Sequence, residues 1–251
     1  MKRRQVITAI GTLALGAGTA LGTGAFDASS ANSDSSLSIV TQGGDANIVI
    51  NAGNENDNDG TVVVNPGSDG PEYLNDSGLV FENLSLDDLP LAVVSDDSTG
   101  QGMVKVQIAV AAGQSPNFQE AVEIVNNDNN QDYEVGFTYT QYGSGLNYAE
   151  IDEEVANNTF VFKSSSNGTR ISPNTADGEN PENLIEITRG GNSQLVDIKV
   201  NADQSELTDV YGDIDDDPFY GAGDFSDNAS TAKHDELIDQ VTAVANEIPN
   251  N

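Results

Sequence analysis

The residues of this chain best suited to chemistry are its carboxylates, and their spacing suggests calcium binding. Residues 54–60 read Asn-Glu-Asn-Asp-Asn-Asp-Gly, which alternates oxygen ligands and ends in glycine, as the first half of an EF-hand loop does. Pro66 stands where the bidentate glutamate of that loop belongs, so this is not an EF-hand. Calcium also accepts irregular oxygen cages, and an acidic surface turn without metal is the alternative. The candidate ligands of such a looser site are Asp57, Asp59, Asp213, Asp215 and Asp217.

Side chains for nucleophilic or zinc-dependent catalysis are scarce. The chain contains one histidine, His234, and no cysteine. It has no Gly-x-Ser-x-Gly motif, no His-Glu-x-x-His motif and no phosphate-binding glycine loop. Carboxylate pairs are too abundant to single out a general acid and base. We therefore predict a protein that is not an enzyme and has no cofactor besides the calcium considered above.

Asparagine sequons offer a second kind of chemistry, covalent modification. Asn-x-Ser/Thr is the acceptor pattern for N-glycosylation in exported proteins. Chance is the alternative, because a chain rich in Asn, Ser and Thr produces sequons without selection. The candidate acceptors are Asn75, Asn83, Asn157, Asn167 and Asn228.

Residues 1–26 have the organisation of an export signal. Lys2, Arg3 and Arg4 precede an apolar run from Val6 to Leu21, and small residues follow at 23–25. The paired arginines are compatible with the twin-arginine route. A retained membrane anchor is the alternative, although the many glycines and alanines make this a weak spanning helix. We predict an extracellular or cell-surface protein that contacts the membrane only through this segment before cleavage.

The charge of the chain is strongly negative. Its 41 acidic and 9 basic residues give a formal net charge of −32. Such a surface repels itself in dilute buffer, whereas molar salt shortens the Debye length to about 3 Å and screens the repulsion. We interpret the composition as adaptation to high salt and predict no nucleic-acid partner, because no basic patch could neutralise phosphates. An acidic disordered protein is the alternative, which regular apolar periodicity disfavours.

That periodicity is mainly two, the period of β-strands. In residues 103–111, for example, valines and isoleucine alternate with other side chains. Short strands separated by Asn/Asp/Gly turns predict an all-β fold, an antiparallel two-sheet sandwich over residues 37–205 that is polar outside and apolar inside. The predicted strands are 36–40, 46–51, 61–64, 79–81, 91–94, 103–111, 118–125, 133–142, 160–162, 184–188 and 195–200.

The segments that flank the sandwich have other patterns. Residues 27–36 predict a flexible polar segment, and residues 206–228 predict an acidic linker. Within 229–248, apolar residues from Leu237 to Ile248 fall at helical spacing, which predicts an amphipathic helix. We expect this helix to pack on the sandwich as a lid. Contact with a partner or a membrane surface is the alternative.

Three segments carry a family resemblance. Residues 22–26, Gly-Thr-Gly-Ala-Phe, resemble the signal phrase of the DUF1102 group, which comprises secreted haloarchaeal proteins of unknown function. Residues 118–137 resemble the strand, Asn-rich turn and strand of that family, and residues 194–202 resemble its later strand. The resemblance fades over 45–100 and 205–251. It implies a secreted β-sandwich from a halophilic archaeon.

The same group is similar in layout to camelysin and TasA-like proteins, which are jelly-roll subunits of extracellular fibres. This similarity implies a jelly-roll-like sandwich and a donor strand in residues 26–41 that completes the sheet of the next subunit. The apolar residues of that strand are Leu37, Ile39 and Val40. The implied function is that of a structural surface protein, a filament subunit that associates with itself or with other cell-surface proteins. An extracellular module that binds calcium or a glycan is the alternative.

Overall fold

Fifteen strands and two short helices make up the described part of the chain. This computed structural model describes residues 6–9, 37–42, 47–56, 59–64, 74–75, 78–79, 89–96, 104–111, 113–142, 146, 150–211 and 234–249. The helices are α1 (Glu153–Thr159) and α2 (Ser205–Tyr211). The strands are β1 (Val6–Ala9), β2 (Leu37–Gln42), β3 (Ile48–Ala52), β4 (Thr61–Val64), β5 (Leu74–Asn75), β6 (Gly78–Leu79), β7 (Leu91–Asp96), β8 (Val104–Ala111), β9 (Asn117–Asn126), β10 (Tyr133–Tyr142), β11 (Phe160–Ser164), β12 (Ile185–Ile187), β13 (Asn192–Val200), β14 (His234–Glu236) and β15 (Ile238–Glu247).

Two packed sheets confirm the predicted all-β sandwich. The larger sheet has nine strands, namely β1, β2, β4, β7, β8, β10, β12, β14 and β15, and the smaller sheet has the order β11-β13-β9-β3. Phe137 of the larger sheet and Phe162 of the smaller one meet between them, with ring centroids 4.6 Å apart. The buried Tyr139 hydroxyl donates to the Phe160 carbonyl across the same space. Aromatic side chains therefore join the two layers.

The apolar face of β8 shows how strand alternation forms this core. Val104, Val106, Ile108 and Val110 are 0–2 % exposed and belong to the core cluster between the sheets. Burial of each such side chain contributes about 1.5–3 kcal/mol of hydrophobic free energy.

The opposite face of the larger sheet departs from the predicted polar exterior. Gln107 and Ala109 are buried, although they alternate with the core residues of β8. Their registered neighbours on β7, Val93 and Leu91, are buried as well. Both faces are thus shielded from solvent over residues 91–94 of β7 and 106–110 of β8, and the expectation of a polar outer face is wrong for these residues.

The carboxy-terminal segment corrects a second prediction. The predicted helix over 229–248 is wrong, because residues 234–236 and 238–247 form β14 and β15. β15 pairs with β10 at nine registered positions and is therefore part of the sandwich, which extends beyond residues 37–205. The predicted acidic linker begins inside α2, and its residues 212–228 lie outside the described residues, as do residues 27–36.

One side of the sandwich is closed by the segment 169–178. Ile171 donates from its backbone N–H to the Phe162 carbonyl at 2.9 Å, and its own carbonyl accepts from the Phe137 N–H at 2.7 Å. Ile171 thereby bonds to one strand of each sheet. The half-buried Arg170 fastens the segment to α1 through the side-chain oxygen of Asn158, 2.8 Å away. Burial lowers the pKa of the Arg170 guanidinium.

Candidate assembly site

The predicted donor strand lies in the interior of the larger sheet. β2 pairs with β15 in parallel at five registered positions, from Ser38 opposite Gln240 to Gln42 opposite Val244. On its other edge β2 pairs with β8 in antiparallel fashion, from Leu37 opposite Val106 to Ile39 opposite Val104. The predicted donor residues Leu37, Ile39 and Val40 therefore complete the sheet of their own chain.

The β1 strand continues the same strand position. It is antiparallel to β8, from Val6 opposite Ala111 to Ala9 opposite Ile108, and parallel to β14. β7 pairs with β8 along residues 104–109, and a strand has two edges. β1 and β2 must therefore share the other edge of β8, end to end and running in the same direction.

A single strip of backbone thus separates β8 from the collinear pair β14 and β15. Its upper part, beside residues 108–111 of β8, is filled by residues 6–9, which lie inside the predicted export signal. Its lower part, beside residues 104–106 of β8, is filled by β2. Only the position opposite Gln107 lies between Ala9 and Leu37 along β8. We call this strip, bounded by residues 104–111 and 234–244, the N-terminal strand position. The apolar pattern of residues 6–21 pointed to export and gave no sign that part of it pairs with the sheet.

The carboxylate of Asp59 is held by protein donors. Its Oδ1 accepts from the backbone N–H of Thr61 at 2.9 Å and from the hydroxyl of that residue at 2.6 Å. Its Oδ2 accepts from Asn56 Nδ2 at 2.9 Å and from the Gln119 N–H at 2.7 Å. Four donors thus fix Asp59 in a turn that docks on β9.

The other predicted calcium ligands cannot be placed. Asp57, Asp213, Asp215 and Asp217 lie outside the described residues. Within the part of the chain that the structure describes, no group of three or more His, Cys, Asp or Glu side chains is arranged to hold a metal ion. Calcium binding stays a prediction.

Two of the predicted glycan acceptors lie in contrasting environments. Asn157 of α1 is fully buried, its Nδ2 donates to the Thr175 carbonyl at 2.6 Å, and its Oδ1 accepts from the Tyr142 hydroxyl at 2.8 Å. Burial raises the pKa of the Tyr142 phenol to about 12, so this hydroxyl stays a donor at neutral pH. Asn167 is exposed in the turn after β11. Asn75 lies in β5, whereas Asn83 and Asn228 lie outside the described residues.

His234 lies in a strand and not in the predicted helix. It is the first residue of β14, registered opposite Val6. Neither of the two described helices has the length and apolar character needed to cross a membrane. Comparisons of the chain with models of known protein families, with curated proteins and with solved structures find no match.

Proposed function

We propose that the chain is a secreted or cell-surface structural protein of a halophilic archaeon, whose copies assemble into a filament by exchanging the amino-terminal strand β2. The proposal assigns it no catalytic step. The single observation that carries it is the location of β2 between β8 and β15.

The pairing of β2 supports exchange because β2 is held on both edges by backbone pairing with neighbouring strands. Both neighbours come from much later in the chain, and β2 runs parallel to one and antiparallel to the other. The same six residues from a second copy would meet the same backbone donors and acceptors. When each copy donates its strand to the next copy, the contact is heterologous and builds an open chain of subunits, whereas reciprocal exchange between two copies would give a closed dimer.

Engineered disulfides test the exchange, since the chain has no cysteine of its own. Ser38 and Lys105 are directly opposite in the register of β2 and β8. We would take one protein carrying Ser38→Cys and another carrying Lys105→Cys, both in the secreted form without residues 1–26, mix them at molar NaCl and oxidise the mixture. Strand exchange predicts a disulfide-linked species that contains both chains, visible by mass spectrometry and gel electrophoresis.

The matched control replaces Lys105→Cys by Glu186→Cys, an exposed residue of β12 far from β2 in the order of the sheet. This mixture should give no more cross-linked product than random collision does. Equal cross-linking in both mixtures, or none with Lys105→Cys while electron microscopy shows only monomers, would reject the proposed function.

A further inference from the structure

The upper part of the N-terminal strand position is filled by a segment that export would remove. β1 lies within residues 1–26 and pairs with residues 108–111 of β8 and with all three residues of β14. Adjacent strands lie about 4.7–4.9 Å apart, so loss of β1 leaves a gap one strand wide between two backbones. Both facing edges would then present unpaired N–H and C=O groups, which are a template for another strand.

The residues that precede β2 in the same chain are poor substitutes for β1. Continuing the register of β2 toward the amino terminus would set Ser35 opposite Ile108, Asp34 opposite Ala109 and Ser33 opposite Val110. Ile108, Ala109 and Val110 are fully buried. Burying a carboxylate or an unpaired hydroxyl beside them costs free energy, whereas the sequence of β1, Val-Ile-Thr-Ala, is mostly apolar.

We propose that β1 is an intramolecular plug that keeps the sheet closed to a second copy of this chain until the export signal is removed. The occupant of the vacated position is the strand Leu37–Gln42 of that second copy, whose apolar residues are Leu37, Ile39 and Val40, running antiparallel to β8. It pairs first beside residues 108–111 and then replaces the acceptor's own β2 along the same strip. This inference rests on the proposed function and adds how assembly is timed.

The registers allow the plug to be locked and released in one sample. Thr8 and Ala109 are directly opposite in an antiparallel pair, where Cα atoms lie about 4.5–5.5 Å apart, a separation that a disulfide can span. The test protein is the full chain with Thr8→Cys, Ala109→Cys and a site-specific protease sequence inserted between Ala25 and Phe26. It is folded at molar NaCl, oxidised, cut, and followed by light scattering and electron microscopy.

We expect the cut, oxidised protein to stay monomeric and to assemble once a reductant frees the plug. The matched control is the full chain with the protease sequence and no cysteines, which should be monomeric before the cut and should assemble after it without a reductant. Circular dichroism of each sample before the cut verifies the strand content.

The outcomes separate the two proposals. Assembly of the uncut control as readily as the cut one, or failure of Thr8→Cys and Ala109→Cys to join within one chain, would overturn the plug and leave strand exchange standing. A cut control that stays monomeric at every salt concentration would overturn the proposed function, and the plug with it.

Discussion

At the scale of single residues, the four hydrogen bonds of Asp59 explain why a carboxylate stands in the turn before β4. The turn joins the smaller sheet to the larger one, because Asp59 accepts from the Gln119 N–H of β9 at 2.7 Å and the Gly60 carbonyl accepts from the Ala92 N–H of β7 at 2.9 Å. An anionic acceptor strengthens each of these hydrogen bonds. The acidic pattern that resembles a calcium loop is therefore also what such a turn requires.

Asp59→Ala should lower the free energy of unfolding by about 2–3 kcal/mol, because it leaves several polar donors without their acceptor. The measurement is urea unfolding at molar NaCl, with and without millimolar calcium. We expect the same loss in both, and a loss near zero for the control Glu179→Ala, which removes an exposed carboxylate. Stabilisation of the unmutated protein by calcium, abolished in Asp59→Ala, would instead identify a metal ligand.

The sequon asparagines Asn157 and Asn167 lead to a second residue-scale prediction. In protein secreted by a glycosylating halophilic host, Asn167 should carry a glycan and Asn157 should not. The amide of Asn157 is buried and bonded at both ends, whereas Asn167 is exposed. Mass spectrometry of glycopeptides measures occupancy, and Thr169→Ala, which destroys one sequon and keeps its asparagine, is the control. A glycan on Asn157 of folded protein would contradict this burial.

At the scale of elements, β15 shows where sequence patterns mislead. Its apolar residues Ile238, Val241 and Val244 fall at helical spacing, yet the strand face that meets the core contains Val241 and Ala243, both fully buried. Alanine and threonine dilute the two-residue alternation, so the helical period was the stronger pattern. The β-branched residues of this segment favoured a strand, and pairing with β10 on one edge and β2 on the other overrides local preference.

Val244→Ala tests that assignment by its sign. Alanine favours a helix by up to about 0.7 kcal/mol over valine, whereas in a paired strand the loss of valine costs up to about 1 kcal/mol. Val244 is partly exposed and registered opposite Gly136 of β10, so the change creates no large cavity. We expect a lower free energy of unfolding by urea at molar NaCl. An increase would mean that residues 238–247 form a helix.

Other elements were predictable to different degrees. The sequence predicted β10 over the same residues that the structure has, because its alternation is unbroken and an Asn-rich turn precedes it. It missed α1, although Asp152 caps this helix by accepting from the Val155 N–H at 2.9 Å, and Glu153 and Glu154 occupy its first turn. That capping pattern was a usable signal. Pairing of β1 was not predictable, because register between distant segments leaves no local pattern.

At the scale of the whole molecule, the net charge should make folding depend on salt. Among the described residues the structure contains two ion pairs, Arg189 with Asp132 at 3.1 Å and Arg170 with Glu182 at 3.9 Å. These pairs leave the formal net charge of −32 unchanged, because that figure already counts the basic residues. Repulsion between the carboxylates must therefore be screened by dissolved salt. The Debye length falls from about 10 Å at 0.1 M salt to about 3 Å at 1 M.

The melting temperature should consequently rise between 0.1 M and molar NaCl, and much less in sucrose of equal osmolality, which does not screen charge.

Glu134 and Glu186 provide a local measure of the repulsion, because they lie directly opposite each other in β10 and β12 and both are exposed. Like charges in such a pair are destabilising. Glu186→Lys should therefore raise the free energy of unfolding by about 0.5–1 kcal/mol at 0.1 M NaCl, and by clearly less at molar NaCl.

Glu186→Gln is the matched control, since it removes the repulsion without adding an attraction, and we expect roughly half of the gain. Thermal and urea unfolding of the three proteins across the salt series separate this local pair from the global charge. If the melting temperature were flat in salt, or if Glu186→Lys were equally stabilising at every concentration, screening would not be what keeps this acidic sandwich folded. The negative net charge would then need an explanation other than adaptation to high salt.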